Sequence, residues 1–171
     1  MKATRLLVVA LCLSLAIACG EHAPTAAPQA PQADLIGSLV QATGLLNCSA
    51  LPYAQDVETI GPDGGTLTAG PHKLVIPAGA LREPTTITMT APSGRGVNAV
   101  EFQPEGLQFA KPAYLTMSYS NCSLLGKLLP KRIAYTDDNL NILSYLLSLD
   151  NLFAKRVTGQ VNHFSDYVVA W

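Results

Sequence analysis

Polar and apolar residues alternate along much of the chain after position 84. Thr86, Thr88 and Thr90 alternate with Ile87 and Met89, which gives this segment one hydroxyl face and one apolar face. The same period of two recurs in five later runs, within residues 113–119, 133–135, 143–149, 153–161 and 167–171. Turn-forming residues separate the runs: Pro92-Ser93-Gly94, Gly126, Asp137-Asp138-Asn139 and Asp150-Asn151. Many short strands separated by turns predict an all-β fold, an antiparallel β-sandwich with the apolar residues in its core.

The stretch before these runs predicts a hairpin. Asp63-Gly64-Gly65 tolerates positive φ and favours a tight turn, while the Thr, Leu, Val and Ile residues around it favour strands. Because Pro77 cannot donate a backbone hydrogen bond to a neighbouring strand, we expect the strand to end at Ile76 and the chain to bend at Gly79.

Three motifs follow one another in this part of the chain. They are Gly64-Gly65-Thr66-Leu67 with Ile76-Pro77-Ala78-Gly79-Ala80-Leu81 and the strand Ile87-Thr88-Met89-Thr90, then Phe102–Phe109, then His163-Phe164-Ser165-Asp166-Tyr167. Together they make residues 57–171 resemble the ZU-5 domain of ankyrins, netrin receptors and zonula occludens proteins. The resemblance implies a β-sandwich that acts as an interaction or scaffolding module with diverse partners. Open edge strands or the hydroxyl face with Thr86, Thr88 and Thr90 could dock a protein or a glycan, and the sequence does not identify which.

The N-terminal residues have the features of a signal peptide. Lys2 and Arg5 form a charged start, an apolar run follows from Leu6 to Ile17, and small residues precede Cys19. Since a helix that spans a bilayer needs about 20 apolar residues, this run predicts a leader over residues 1–18 and an exported protein.

The position and number of the cysteines predict a lipid anchor. Cys19 directly follows the small residue Ala18, which resembles the lipobox of bacterial lipoproteins, although Ala16 stands where that family prefers Leu. Lipidation of Cys19 would leave Cys48 and Cys122 as an even pair, which predicts a disulfide in an oxidising compartment. Cleavage by an ordinary signal peptidase would leave three cysteines and a soluble periplasmic protein, which is an alternative interpretation.

A lipidated Cys19 would make the lipid bilayer a partner of the protein. Two or more acyl chains, such as palmitate, give stable anchoring. Gly20 stands where Asp would mark retention at the inner membrane, so the lipobox resemblance implies the bacterial cell envelope and its outer membrane.

Two segments are predicted between the anchor and the sandwich. Residues 19–33 are rich in Pro and Ala and hold no large apolar residue, which predicts a disordered tether. Residues 34–56 contain Asp34 as a possible helix cap and apolar residues at a spacing of three to four, which predicts a short helix packed on the sandwich.

Charge and motif patterns exclude several classes of function. Net charge is −1, and falls to −3 when the leader takes Lys2 and Arg5 with it, so we expect no nucleic-acid partner. Residues 137–141 imitate the start of a calcium-binding loop, but Ile142 stands where that loop needs Gly and Ser148 where it needs Glu. We therefore predict no metal and no cofactor.

The triplet His163-Phe164-Ser165 is the one candidate for catalysis. In some ZU-5 proteins the same triplet resembles a self-cleavage site, with Ser165 as nucleophile, His163 as base and the cut after Phe164. Here only seven residues follow Phe164, so cleavage would release almost nothing. The other interpretation places Phe164 in the core and Ser165 with Asp166 in a turn, and it predicts a non-enzymatic protein.

Overall fold

The computed structural model describes residues 44–124 and 128–171, and these form an all-β fold without helices. The strands, numbered in chain order, are β1 (Ala54–Ile60), β2 (Gly65–Ala69), β3 (His72–Ile76), β4 (Thr85–Ala91), β5 (Ala99–Gln103), β6 (Gln108–Ser118), β7 (Arg132–Thr136), β8 (Ile142–Tyr145), β9 (Ser148–Asn151), β10 (Arg156–His163) and β11 (Asp166–Ala170). Within the described ranges no helix is long and apolar enough to cross a bilayer. The signal peptide, Cys19 and the tether predicted over residues 1–33 lie outside the described residues.

The strands form two antiparallel sheets that pack face to face. One sheet has six strands in the order β1-β4-β5-β11-β7-β8, and the other has five in the order β2-β3-β6-β10-β9. Strand β4 shows why they pack: Ile87, Met89 and Ala91 are buried between the sheets, while the alternating threonines lie on the outer face. The predicted antiparallel sandwich is confirmed.

A second, smaller apolar cluster covers part of the outer face of the six-stranded sheet. Its buried members are Leu45, Val97, Ala99, Ala134, Val168 and Ala170. Leu45 belongs to the segment that precedes β1 and forms an isolated bridge with Ala170. The disulfide between Cys48 and Cys122 joins this segment to the chain that follows β6.

The described part of the segment predicted as a short helix is extended. Residues 34–43 lie outside the described residues, and from Gly44 onwards the chain runs along the sheet. The N–H groups of Leu46 and Cys48 donate to the carbonyls of Val169 and Gly96, at 3.3 and 2.8 Å. Gly44 has a φ of 83°, which a right-handed helix does not accommodate, and these contacts with the sheet replace intrahelical hydrogen bonds.

The predicted hairpin exists, but its turn lies at a different place. Strands β2 and β3 pair from Gly65 with Ile76 to Ala69 with His72, so the chain reverses at Gly70-Pro71. Asp63-Gly64 also forms a turn, which carries the chain from β1 in one sheet to β2 in the other.

The run predicted over residues 143–149 is two strands rather than one. Strand β8 ends at Tyr145 and pairs with β7, whereas β9 begins at Ser148 and pairs with β10 in the opposite sheet. Leu143, Leu147 and Leu149 are exposed, and so is Phe153 in the following turn. The expectation that these apolar side chains lie in the core was wrong.

Candidate functional site

The triplet His163-Phe164-Ser165 lies where β10 gives way to β11. His163 ends β10, and Phe164 turns its ring into the core, where it is buried. The ring stacks on Phe102 with centroids 4.6 Å apart and meets the edge of Phe109 at 5.0 Å. These contacts fix Phe164 as a core residue, as one of the two interpretations predicted, but Asp166, which that interpretation placed in a turn with Ser165, instead begins β11.

The backbone of Phe164 is held by the turn that precedes β6. Its N–H donates to the Leu107 carbonyl at 2.8 Å, and its carbonyl accepts from the Gly106 N–H at 3.1 Å. The Tyr167 hydroxyl donates to the His163 carbonyl at 2.5 Å. Within the described residues the non-glycine positions with positive φ are Leu140 and Lys155, so the triplet carries no strain of that kind.

The His163 side chain lies beside a carbonyl rather than beside the Ser165 hydroxyl. Its Nδ1 is 3.3 Å from the Phe164 carbonyl oxygen, and its ring contacts Tyr135 edge-on with centroids 5.3 Å apart. No hydrogen bond joins His163 to the Ser165 hydroxyl in the described part of the chain.

Ser165 lines one wall of an open cleft of about 470 Å³ on the outer face of the six-stranded sheet. The cleft forms where β5, β11 and β7 lie side by side, because residues on alternate positions of these strands face outward. Its charged lining consists of five carboxylates and one guanidinium: Glu101, Glu105, Asp137, Asp138, Asp166 and Arg95. The cleft is therefore strongly negative.

The carboxylates of the cleft differ in their surroundings. Burial, and then the nearby charge of Glu101, raise the pKa of Asp166, although Arg95 opposes this. Arg95 Nη2 lies 2.7 Å from Glu101 Oε1. Hydrogen bonds from the Asn141 side chain and backbone lower the pKa of Asp137. A site with this charge suits a cationic group and rejects an anion.

The described residues contain no group of three His, Cys, Asp or Glu side chains that could hold a metal ion. The calcium-like stretch is a turn: Asp137 Oδ1 accepts from the N–H groups of Asn139 and Asn141, at 3.0 and 2.9 Å. The turn at residues 137–141 is the one that the sequence interpretation predicted.

The other predicted sites fall in different places. Cys48 and Cys122 form the expected disulfide at the opposite end of the sandwich from the triplet, and Cys19 lies outside the described residues. Thr86 and Thr88 lie on the outer face of β4, where the Thr86 hydroxyl is 2.9 Å from that of Thr59. The acidic cleft was not predicted from the sequence, because its carboxylates come from segments that meet only through the strand order.

No protein-family model matches the chain, and no curated protein matches it.

Proposed function

We propose that this protein is an exported bacterial lipoprotein, anchored in the outer membrane through Cys19, whose sandwich is a non-enzymatic interaction module. The ZU-5 resemblance of residues 57–171 supports a binding role, and within the described residues no hydrogen bond joins His163 to the Ser165 hydroxyl. The partner is a protein or a glycan of the cell envelope.

The observation that carries the proposal is the Cys48–Cys122 disulfide. It uses both cysteines that lie beyond the tether, so Cys19 is the one cysteine of the processed chain that is left for lipid. A disulfide is also typical of a protein that folds in an oxidising compartment, outside the cytoplasm.

The acidic cleft is a candidate contact surface for the partner. Five carboxylates face one guanidinium across an open cavity, which favours a partner segment with Lys or Arg side chains. Contacts of this kind steer association more than they add affinity, so salt is expected to weaken binding.

Intact-mass measurement of the native protein purified from whole cells of its host tests the anchor. A chain that begins at Cys19 and carries acyl chains is the expected result. A Cys19→Ser variant serves as the control, since it retains the disulfide pair and cannot be lipidated. Recovery of the native chain with an unmodified Cys19 would show a soluble periplasmic module instead.

A second candidate function is self-cleavage between Phe164 and Ser165. Two groups favour it, because the Gly106 N–H and His163 Nδ1 both lie at the Phe164 carbonyl oxygen, at 3.1 and 3.3 Å. Donors at that position would stabilise the oxyanion that forms when a hydroxyl attacks the carbonyl.

The Ser165→Ala variant separates the two functions. On the binding proposal, wild type and variant both run as one intact chain through Trp171. Self-cleavage requires that wild type lose the peptide of seven residues after Phe164 and that Ser165→Ala retain it.

A further inference from the structure

Two surface loops each expose a pair of large apolar side chains. The loop that leads into β7 carries Leu128 and Leu129, which are 94% and 59% exposed, and the turn between β9 and β10 carries Leu152 and Phe153, which are 50% and 101% exposed. Single exposed apolar residues are ordinary on a protein surface, whereas a group of them marks a surface that binds something.

Hydrogen bonds hold the two loops next to each other. The Lys131 N–H donates to Asp150 Oδ2 at 2.8 Å, which ties the first loop to the end of β9. The Tyr119 hydroxyl donates to Asp150 Oδ1 at 2.6 Å, and the Tyr119 N–H donates to the Lys155 carbonyl at 2.9 Å. These hydrogen bonds place Leu128, Leu129, Leu152 and Phe153 at the same end of the sandwich, and the four exposed side chains are here called the apolar tip.

Exposed cations border the apolar tip. Lys155 and Arg156 follow Phe153 closely in the chain, and Arg132 follows the first loop, with its guanidinium 4.3 Å from the centre of the Tyr145 ring. Asp150, the carboxylate of β9, accepts hydrogen bonds from the Tyr119 hydroxyl and the Lys131 N–H. The tip is therefore apolar and positive, while the cleft on the outer face of the six-stranded sheet is negative.

We propose that the apolar tip docks on an anionic lipid bilayer. Apolar side chains enter the boundary between headgroups and acyl chains, and the neighbouring cations bind lipid phosphates. The inference rests on the proposed lipid anchor, which would keep the domain within reach of the bilayer. Docking would leave the acidic cleft on a different surface, free to receive a partner.

The charge of the tip favours a membrane over a second copy of the chain. Two tips placed against each other would bring Arg132, Lys155 and Arg156 of both copies together, and like charges at a shared interface repel. An anionic bilayer complements both the charge and the apolar side chains. Leu147, just before β9, and Leu149, on β9, are also exposed.

Tryptophan fluorescence on the full mature chain tests the docking. In a Phe153→Trp variant, the new indole should be quenched by brominated acyl chains in mixed phosphatidylcholine and phosphatidylglycerol vesicles, and less in pure phosphatidylcholine. A Val57→Trp variant is the matched control, because Val57 is 53% exposed on β1, at the opposite edge of the sheet from β8. Native Trp171 provides the common background. Equal quenching in the two variants would overturn the docking proposal.

Charge reversal gives a second readout that does not depend on the new indole alone. In the Phe153→Trp background, Lys155→Glu with Arg156→Glu should lower the ratio of docked to undocked protein by roughly fivefold for each lost cation. Lys111→Glu with Arg82→Glu makes the same charge change at exposed sites near the start of β6, at the other end of that strand from Ser118 and Arg156, and should leave the ratio unchanged. Equal effects of the two pairs would contradict docking by the tip.

The same samples distinguish a failure of docking from a failure of the anchor. Intact mass reports whether Cys19 carries lipid, and quenching reports whether the tip enters the bilayer. A lipidated chain with an unquenched tip overturns the docking and leaves the anchor standing. An unmodified chain whose tip is quenched overturns the anchor and supports the docking.

Discussion

The hydroxyl of Tyr119 donates a hydrogen bond of 2.6 Å to Oδ1 of Asp150. Tyr119 is buried just after β6, and burial, followed by the hydrogen bond to Asp150, raises its pKa, so the hydroxyl keeps its proton over the physiological range. Because Asp150 Oδ2 also accepts from the Lys131 N–H, one carboxylate joins β9 to the ends of two other segments. The positions of both loops of the apolar tip depend on the Asp150 carboxylate.

Replacing Asp150 with Ala should destabilise the protein by about 1–3 kcal/mol, because the buried Tyr119 hydroxyl loses its short hydrogen bond. The remaining acceptor, the Asn151 carbonyl, lies 3.4 Å away and is a poor substitute. Urea unfolding with the disulfide intact measures the free energy of unfolding. Asp150→Asn is the control. Its side-chain carbonyl can still accept from the Tyr119 hydroxyl, so this variant should lose less unfolding free energy. Equal losses in the two variants would show that this hydrogen bond is not the cause.

Removal of the disulfide should lower the free energy of unfolding by more than the Asp150→Ala substitution does. Cys48 and Cys122 are separated by 74 positions, and a loop of that length is worth about 4 kcal/mol in the chain-entropy account. A double variant, Cys48→Ser with Cys122→Ser, should therefore unfold at a much lower urea concentration than wild type. Reduction of the wild-type protein should reproduce the loss, and the reducing agent should leave the double variant unchanged. Wild-type stability in the double variant would contradict the chain-entropy account.

Alternation predicted the strands well wherever one face of a strand is covered by the other sheet. In β4 the threonines and the apolar residues take opposite faces, as expected, because Ile87, Met89 and Ala91 face the second sheet. At β9 the same alternation predicted that the wrong face of the strand would be buried. Ser148 and Asp150 point inward there, since the Ser148 hydroxyl accepts from the Ile133 N–H at 3.1 Å and Asp150 accepts from Tyr119.

A period of two identifies two faces of a strand without identifying which face is buried. At β9 the inward positions satisfy buried polar groups, so the leucines between them are exposed. The parity of the cysteines predicted the disulfide without any knowledge of the fold, given the predicted leader and the predicted lipidation of Cys19. The acidic cleft needs the strand order, since Glu101, Asp137 and Asp166 lie far apart in sequence and meet through β5, β11 and β7.

His72 should make the protein less stable in acid. It is 1% exposed at the start of β3, and its Nδ1 accepts from the Ser118 N–H at 3.2 Å, which requires an unprotonated nitrogen. Burial lowers its pKa from 6.5 to about 4, so the unfolded chain binds a proton first as the pH falls. Neutral His72 therefore accounts for about 3 kcal/mol of the free energy of unfolding. This stability is fully present above pH 6.5 and is lost as the pH falls towards 4.

The free energy of unfolding, measured from pH 7 to pH 4 for wild type and a His72→Asn variant, isolates this effect. Asn can still accept from Ser118 but does not titrate in this range. The comparison is needed because burial raises the pKa of Asp166, and its protonation favours the folded state as the pH falls. Wild type should lose stability relative to the variant through the window. If the free energies of unfolding of wild type and variant changed in parallel with pH, protonation of His72 would not be the cause of the loss.

Gly64 and Gly94 allow the cost of a clash to be separated from the cost of backbone conformation. Both have a φ of 78°, which costs a residue with a Cβ roughly 1–2 kcal/mol. A Cβ on Gly94 would meet nothing within 4 Å, whereas one on Gly64 would lie 2.4 Å from the Ile76 carbonyl oxygen and 2.8 Å from the Pro77 carbonyl carbon. These are backbone atoms at the end of β3, so they cannot move aside as a side-chain terminus could.

The Gly94→Ala variant should therefore lose only the unfolding free energy that positive φ costs, roughly 1–2 kcal/mol. Gly64→Ala should lose about 1–3 kcal/mol more, the usual range for overpacking. Urea unfolding of both variants beside wild type measures the difference. The structural reason is that the turn from β1 passes directly under the end of β3, where the Gly79 N–H donates to the Pro62 carbonyl at 2.7 Å. If both variants lost the same free energy, the two segments would lie farther apart than the structure places them.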